Sequence, residues 1–339
     1  MTTALAINGF GRIGRNVLRA LVESGRDDLR IIAINDLGPV GTNAHLLEFD
    51  SVHGRFPGPV TVNGDTIDAG TGPIRVTALR EPEALPWGDV DIVLECTGLF
   101  TDREAAARHL RNGARRVLVS APSSGADRTV VYGVNHKDLT PEDVIVSNAS
   151  CTTNCLAPVA KVLHEVIGIT RGFMTTIHSY TGDQPTLDTM HRDLYRARAA
   201  GLNIIPTTTG AARAVGLVLP ALAGRLDGTA IRVPTPNVSA VDLTFEAARD
   251  TSAEEINAAI AKAAAGPLRG ILDVTGRELV SSDFNHNPMS AVLATDQTRV
   301  MEGRLARVLA WYDNEWGFSN RMLDVAAAMG RVIDPLSSS

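Results

Sequence analysis

The chain has 339 residues, long enough for two domains of ordinary size, with 44% hydrophobic residues and a formal net charge of −6. That balance suits a soluble globular protein, and the lack of a long single-sign run argues against a nucleic-acid or membrane-surface binder. Three cysteines, an odd number, argue against a disulfide framework and for a reducing compartment. The chain enters Ala4-Leu5-Ala6-Ile7 without a basic leader, and no apolar run reaches the ~18 residues of a membrane span, so a cytoplasmic protein is expected.

The first third alternates short β-branched runs with amphipathic stretches. Ala4–Asn8 reads as a strand, Arg12–Ser24 as a helix and Leu29–Ile34 as a second strand. Asp91–Glu95 and Arg116–Val119 are further strands, with a helix over Arg103–Asn112 between them. Strand–helix–strand alternation at this spacing predicts a doubly wound parallel sheet. The Gly- and Pro-rich stretch from Phe49 to Pro86, with pieces such as Val60-Thr61-Val62, reads as an antiparallel insertion. After residue 150 longer β-rich segments appear: Gly172–Ile177, Thr229–Val233, Val238–Glu246, Gly270–Val274 and Arg304–Tyr312. Helices are expected over Leu156–Val166, Gly210–Leu219 and Ala253–Ala265, giving an α+β domain with one helical layer on a mixed sheet. A last helix, Ser319–Arg331, is expected to pack back on the first domain. The division is therefore 1–150 and 151–318, a doubly wound α/β domain of Rossmann type followed by an α+β domain.

Gly9-Phe10-Gly11-Arg12-Ile13-Gly14 matches G-x-G-x-x-G between a strand and a helix. Its glycines permit a tight turn, close approach to a pyrophosphate, and close helix–strand packing. Asp36 ends the next strand about 22 residues after Gly14, where an acid binds a ribose 2′-hydroxyl. The carboxylate would repel a 2′-phosphate, so NAD is favoured over NADP.

Ser150-Cys151-Thr152-Thr153-Asn154-Cys155 follows the extended stretch Val144–Asn148. Ser150 is a good N-cap, which puts Cys151 in the first turn of a helix, where amide N–H groups and the helix dipole favour a thiolate. A zinc site would need more ligands at metal spacing, and an i, i+4 disulfide with Cys155 would be strained. His178 closes the strand-like Phe173–Ile177 and opens the polar loop Ser179–Gln184. A neighbouring imidazolium there would lower the thiol pKa further and then shuttle the proton. Arg192, Arg196 and Arg198 share one polar loop, Arg232 precedes Pro234, and Thr207-Thr208-Thr209-Gly210 precedes a helix. Together they suit phosphate, although arginines paired with acids at a subunit contact would read the same way.

These residues resemble the phosphorylating glyceraldehyde-3-phosphate dehydrogenases. The likeness runs through Asn8–Arg15, Glu95-Cys96-Thr97-Gly98, Ser147–Cys155, Ile204-Ile205-Pro206, Arg232-Val233-Pro234-Thr235-Pro236 and Trp311–Gly317. The resemblance implies a glycolytic NAD-dependent enzyme that makes 1,3-bisphosphoglycerate from glyceraldehyde 3-phosphate and inorganic phosphate. In that reading Cys151 attacks the aldehyde, His178 takes the proton, and phosphate cleaves the resulting thioester. It places Thr181 and Arg232 on the substrate phosphate, and Ser150, Thr152, Arg196, Thr209 and Gly210 around the attacking phosphate. Arg12, Ile13, Asp36, Arg80, Ser120 and Asn314 join the glycines at the cofactor, and a homotetramer is implied. Thr189-Met190 stands where many NAD-specific relatives carry Leu-Pro, which leaves minor NADP use open. Tyr195 stands where arginine is frequent and Phe318 where tyrosine is usual. The alternatives are an erythrose-4-phosphate dehydrogenase, which hydrolyses its acyl-enzyme, and an NAD-binding regulator without turnover.

Overall fold

In the computed structural model, which describes residues 2–333, the chain divides into two compact units. One holds residues 2–150 together with residues 319–333, and the other holds Cys151–Phe318.

The first unit is built on a nine-stranded sheet. Its order is Arg128–Thr129, Ile145–Ser147, Arg116–Val119, Ile92–Glu95, Thr3–Asn8, Leu29–Asn35, Pro73–Thr77, Thr66–Asp68 and Thr61–Asn63. The first seven pair in parallel and the last two antiparallel. Ile92–Glu95 and Arg116–Val119 are buried throughout, as expected of parallel strands covered on both faces. Thr3–Asn8 lies between Leu29–Asn35 and Ile92–Glu95, so the chain winds away from it in both directions. The carboxyl end of that strand is the topological switch point, where such sheets bind ligands. The final helix, Trp316–Ile333, anchors in this unit through Arg26 Nη1 to Asp324 Oδ1 at 2.7 Å and Arg116 Nη1 to the Met329 carbonyl.

Three sequence expectations need correction here. Val40–Glu48 is a helix that the sequence pattern does not announce: Pro39 precedes it and no side chain caps it. The stretch expected as one helix over 103–112 is α-helical only over Arg103–Ala107 and tightens to 3-10 over Arg108–Asn112. Gly113 ends it at φ 105°, where an added Cβ would press within 2.7 Å of Gly88. The insertion is antiparallel only in part, since Pro73–Thr77 joins the parallel sheet beside Leu29–Asn35.

The second unit carries an eight-stranded mixed sheet. An interior strand, Ile169–Ser179, pairs parallel with Leu226–Val233 and antiparallel with Ser239–Ala247. Ser239–Ala247 in turn pairs antiparallel with Leu305–Tyr312. The helix Cys151–Ile167 packs on these strands and on the helices Ala211–Val218 and Ala253–Ala265. Alternation along Ile169–Ser179 buries Met174, Thr176 and His178 while Phe173 and Ile177 stay exposed. This period-2 pattern puts His178 on one face with Met174 and Thr176.

Candidate active site

The dinucleotide turn is held by the acid that the sequence picks out. Phe10 N–H donates to Asp36 Oδ2 and Gly38 N–H to Asp36 Oδ1, both at 2.9 Å. Gly9 has φ 92°, and a Cβ there would lie 2.7 Å from the Thr97 backbone. A Cβ on Gly14 would lie 2.2 Å from the Gly9 carbonyl oxygen. Gly11, which starts the helix Arg12–Ser24, behaves differently: a Cβ there meets nothing within 4 Å. Nothing in the chain itself requires glycine at that point, but a pyrophosphate pressed against the helix terminus would. A cavity of about 520 Å³ opens beside the turn, lined by Asn8, Gly9, Gly11, Asn35, Asp36, Arg80, Thr97 and Phe100. Its acid, its bare helix start and its size fit an NAD adenosine and pyrophosphate.

Arg12 Nη1 pairs with Asp50 Oδ2 at 2.5 Å. Burial would raise the Asp50 carboxyl, but the Arg12 hydrogen bond and the His53 and Val52 amides outweigh it and hold it at about 2. Ile13 is half-buried on the same turn. Ser120 sits one residue beyond the strand Arg116–Val119, its N–H donating to the Glu95 carbonyl at 3.0 Å.

In the second unit, Cys151 is the first residue of its helix. The chain reaches Ser150 and that helix through Ala149 at φ 55°, a left-handed conformation uncommon for a side-chain-bearing residue. Cys151 Sγ lies 3.5 Å from His178 Nε2. His178 Nδ1 lies 2.7 Å from the Ser179 carbonyl oxygen, which can only accept, and farther, at 3.1 Å, from Arg232 Nη1, which can only donate; the shorter contact favours the ring proton on Nδ1. The Nε2 lone pair then faces the sulfur. Arg232 Nη1 donates to the Ser179 carbonyl at 2.9 Å and to Thr181 Oγ1 at 3.0 Å, and stands 3.1 Å from His178 Nδ1.

This electrostatic setting corrects the expected imidazolium. Burial, then the Arg232 charge, pushes His178 down to about 3, so the ring is neutral and a proton acceptor. Burial also pushes the Cys151 thiol up, opposed by Arg232 and by hydrogen bonds from Thr152. The cation that favours the thiolate is thus the Arg232 guanidinium. His178 also lies inside the strand Ile169–Ser179 and does not follow its end, because pairing with Leu226–Val233 continues two residues past Ile177.

The side chains expected to bind anions separate into distinct sets of contacts. Arg196 donates to Thr207 Oγ1 at 3.0 Å and pairs with Asp183 Oδ2 at 2.9 Å. The Thr181 hydroxyl also donates to Asp183. Arg232, Thr181, Asp183 and Arg196 therefore form one chain of contacts next to His178. Arg198 instead pairs with Asp188, and Arg192 is exposed, so two of the three clustered arginines take no part in it. Thr209 Oγ1 accepts from Ala211 N–H, and Gly210 is the N-cap of the helix Ala211–Val218. Thr152 is buried with its hydroxyl 2.8 Å from the Tyr312 hydroxyl, which also lies 2.9 Å from Thr176 Oγ1. Asn314 Oδ1 accepts from Ser179 Oγ and Ser239 Oγ, each at 2.9 Å, an arrangement in which Nδ2 is left to donate.

Sequence reasoning missed Asp183, Tyr312, Ser179 and Ser239. The Thr-Gly-Asp spacing put Asp183 in view, but the bridge it makes between Thr181 and Arg196 depends on loop closure. Tyr312 lies in a strand, and only sheet register brings its hydroxyl to Thr152 and Thr176.

A Rossmann-type unit with a dinucleotide cavity, joined to a unit carrying a helix-start thiol and a neutral imidazole, defines an NAD-dependent oxidoreductase with a cysteine at its centre. Residues 3–103 match the family model of the glyceraldehyde 3-phosphate dehydrogenase NAD binding domain. Residues 150–314 match that of the C-terminal domain. A glyceraldehyde-3-phosphate dehydrogenase of Cereibacter sphaeroides is 72% identical over 333 residues, covering 98% of this chain and 100% of the relative. One from Xanthobacter flavus is 70% identical, with 98% and 100% coverage, and one from Pseudomonas aeruginosa is 57% identical, again with 98% and 100% coverage. The chain belongs to the glyceraldehyde-3-phosphate dehydrogenase family.

Proposed function

We propose that this protein is a phosphorylating dehydrogenase that converts glyceraldehyde 3-phosphate, inorganic phosphate and NAD to 1,3-bisphosphoglycerate and reduced NAD, reversibly, in glycolysis. The observation that carries the reading is Cys151 Sγ 3.5 Å from an unprotonated His178 Nε2, next to the Arg232–Thr181–Asp183–Arg196 chain.

As Cys151 Sγ bonds to the aldehyde carbon, Nε2 receives the thiol proton, and the charge on the new alkoxide meets helix-start N–H groups and the imidazolium. NAD, when bound, supplies the hydride acceptor that turns the thiohemiacetal into a thioester. Gly9, Gly11, Arg12, Ile13, Gly14, Asp36, Arg80 and Ser120 would hold its adenosine and pyrophosphate, and Asn314 Nδ2 would orient its carboxamide. Arg232 and Thr181 bind the substrate phosphate. Arg196, Ser150, Thr152, Thr209 and Gly210 receive the attacking phosphate, whose oxygen displaces Cys151 from the acyl carbon. Asp183 bridges Thr181 and Arg196 and is displaced or shared when the anions arrive. Asp36 makes NAD the main cofactor, with NADP a minor one.

Exposed apolar side chains on the 185–206 segment, among them Leu187, Met190, Leu194 and Ile204, suit subunit contacts and support a homotetramer. Light scattering tests that assembly. A working thiol suits the reducing cytoplasm. The activity is tested by following reduced NAD with glyceraldehyde 3-phosphate, with and without phosphate. Phosphate-dependent turnover supports the reading. Preference for erythrose 4-phosphate with hydrolysis would favour the other enzyme, and NAD binding without turnover would favour a regulator.

A further inference from the structure

The first unit holds a buried polar constellation that the proposed chemistry does not use. Trp87, Glu95 and His109 are each at most 1% exposed. The Trp87 indole N–H donates to His109 Nδ1 at 2.9 Å. An indole nitrogen only donates, so Nδ1 accepts and the ring proton sits on Nε2, 2.9 Å from Glu95 Oε2. That same oxygen takes Asn8 Nδ2 at 2.6 Å, while Glu95 Oε1 takes the Thr97 N–H at 2.9 Å and the Thr97 hydroxyl. Asn8 Nδ2, His109 Nε2 and the Thr97 amide can only donate, so the geometry suits a carboxylate and no amide.

The partners of Glu95 lead into the cofactor cavity, whose wall includes Asn8, Asn35 and Thr97. Asn8 Oδ1 accepts from Asn35 Nδ2 at 2.8 Å, and Asn35 Oδ1 accepts from the Leu79 amide at 2.9 Å. The Thr97 backbone is the surface against which Gly9 must be a glycine. Three loops that border the cavity thus hang from one buried carboxylate. A buried charge is costly unless fully paired, and an apolar core would have packed the unit without it.

We propose that Glu95, oriented by His109 and Trp87, is the positioning residue of the NAD site. It holds Asn8 and Thr97, and through them the glycine turn and the Leu79–Arg80 edge, in the shape that receives the cofactor. The inference rests on the NAD reading above.

The test measures the NAD dissociation constant by calorimetry on the intact protein, together with kcat and the aldehyde KM at saturating NAD. In Glu95→Gln, an amide N–H faces a donor whichever way it turns, and His109→Leu removes one donor. Each should weaken NAD binding by about tenfold, the worth of one charge-assisted hydrogen bond, with kcat and aldehyde KM nearly unchanged. His109→Gln can still donate to Glu95 and accept from Trp87, and should return the dissociation constant toward wild type. Thr97→Val, at a half-buried loop, removes one donor to Glu95 with less risk to folding and should move NAD affinity the same way. Unchanged affinity in folded Glu95→Gln or Thr97→Val, or a loss shared equally by kcat and the aldehyde KM, would overturn the proposal. Wild-type protein that fails to bind NAD would instead overturn the cofactor reading and this inference with it.

Discussion

Gly11→Ala and Gly14→Ala should separate cofactor binding from folding, although the two glycines are only one helical turn apart. A Cβ on Gly14 would sit 2.2 Å from the Gly9 carbonyl oxygen and 3.0 Å from Ile7 Cγ2. Neither group can swing aside without moving the first strand or the turn, and such overpacking costs about 1–3 kcal/mol or more. Alanine recovers about 1 kcal/mol of helix propensity, so a net loss of up to about 2 kcal/mol is expected. A Cβ on Gly11 meets nothing within 4 Å, and Gly11 has an ordinary φ of −74°. The only intramolecular penalty is a poorer N-cap, worth less than about 1 kcal/mol. Thermal unfolding without cofactor should therefore show a clear drop in Tm for Gly14→Ala and little change for Gly11→Ala. Calorimetric titration should show the reverse emphasis: Gly11→Ala puts a methyl where the pyrophosphate must lie and raises the NAD Kd at least about tenfold. Wild-type NAD affinity in Gly11→Ala would refute the placement of the pyrophosphate at this helix start.

Cys151→Ser should abolish turnover while leaving NAD binding unchanged by calorimetry. His178→Asn should lower kcat by about 10²–10⁴-fold, the usual worth of a positioned base, with steady-state kinetics as the readout. Arg232→Gln removes the cation that favours the thiolate, so alkylation of Cys151 by iodoacetamide at fixed pH should slow; an unchanged rate would show that the guanidinium does not act on the sulfur. Asp50 is held at about 2 when folded, below the ordinary aspartate value of about 3.9. Its hydrogen bonds from Arg12 and the His53 and Val52 amides therefore add stability above about pH 4 that disappears as pH falls toward 2, worth about 2 kcal/mol. Asp50→Asn should flatten that acid limb in urea titrations taken at successive pH values.

Much of this arrangement is legible in the sequence because its signals are local. The helix Arg12–Ser24 and the strand Arg116–Val119 have the bounds their residue patterns predict, and Asp36 follows the next strand and accepts a hydrogen bond from the glycine turn. Ser150-Cys151 announces a helix start. The charge state of the pair was not legible, since the neutrality of His178 comes from burial and from Arg232, 54 residues away in sequence and brought alongside by parallel register. The division of labour among the arginines was hidden for a similar reason. Arg198 is turned away by Asp188, whereas Arg196 is drawn toward Asp183, and only the closed loop shows which acid meets which base. The helix Val40–Glu48 leaves little trace in the sequence, because it has neither the capping side chain of Ala253–Ala265 nor the glycine motif that opens Arg12–Ser24.

The central claim is that Cys151 carries an acyl group which phosphate removes. Rapid mixing of protein, NAD and glyceraldehyde 3-phosphate without phosphate tests it most directly, with reduced NAD followed by absorbance and the intact protein by mass spectrometry. The account predicts a burst of reduced NAD stoichiometric with Cys151, a stall with the acyl mass on that residue, and resumed turnover when phosphate is added. Continuous turnover without phosphate, or a burst with no acyl group on Cys151, would contradict it.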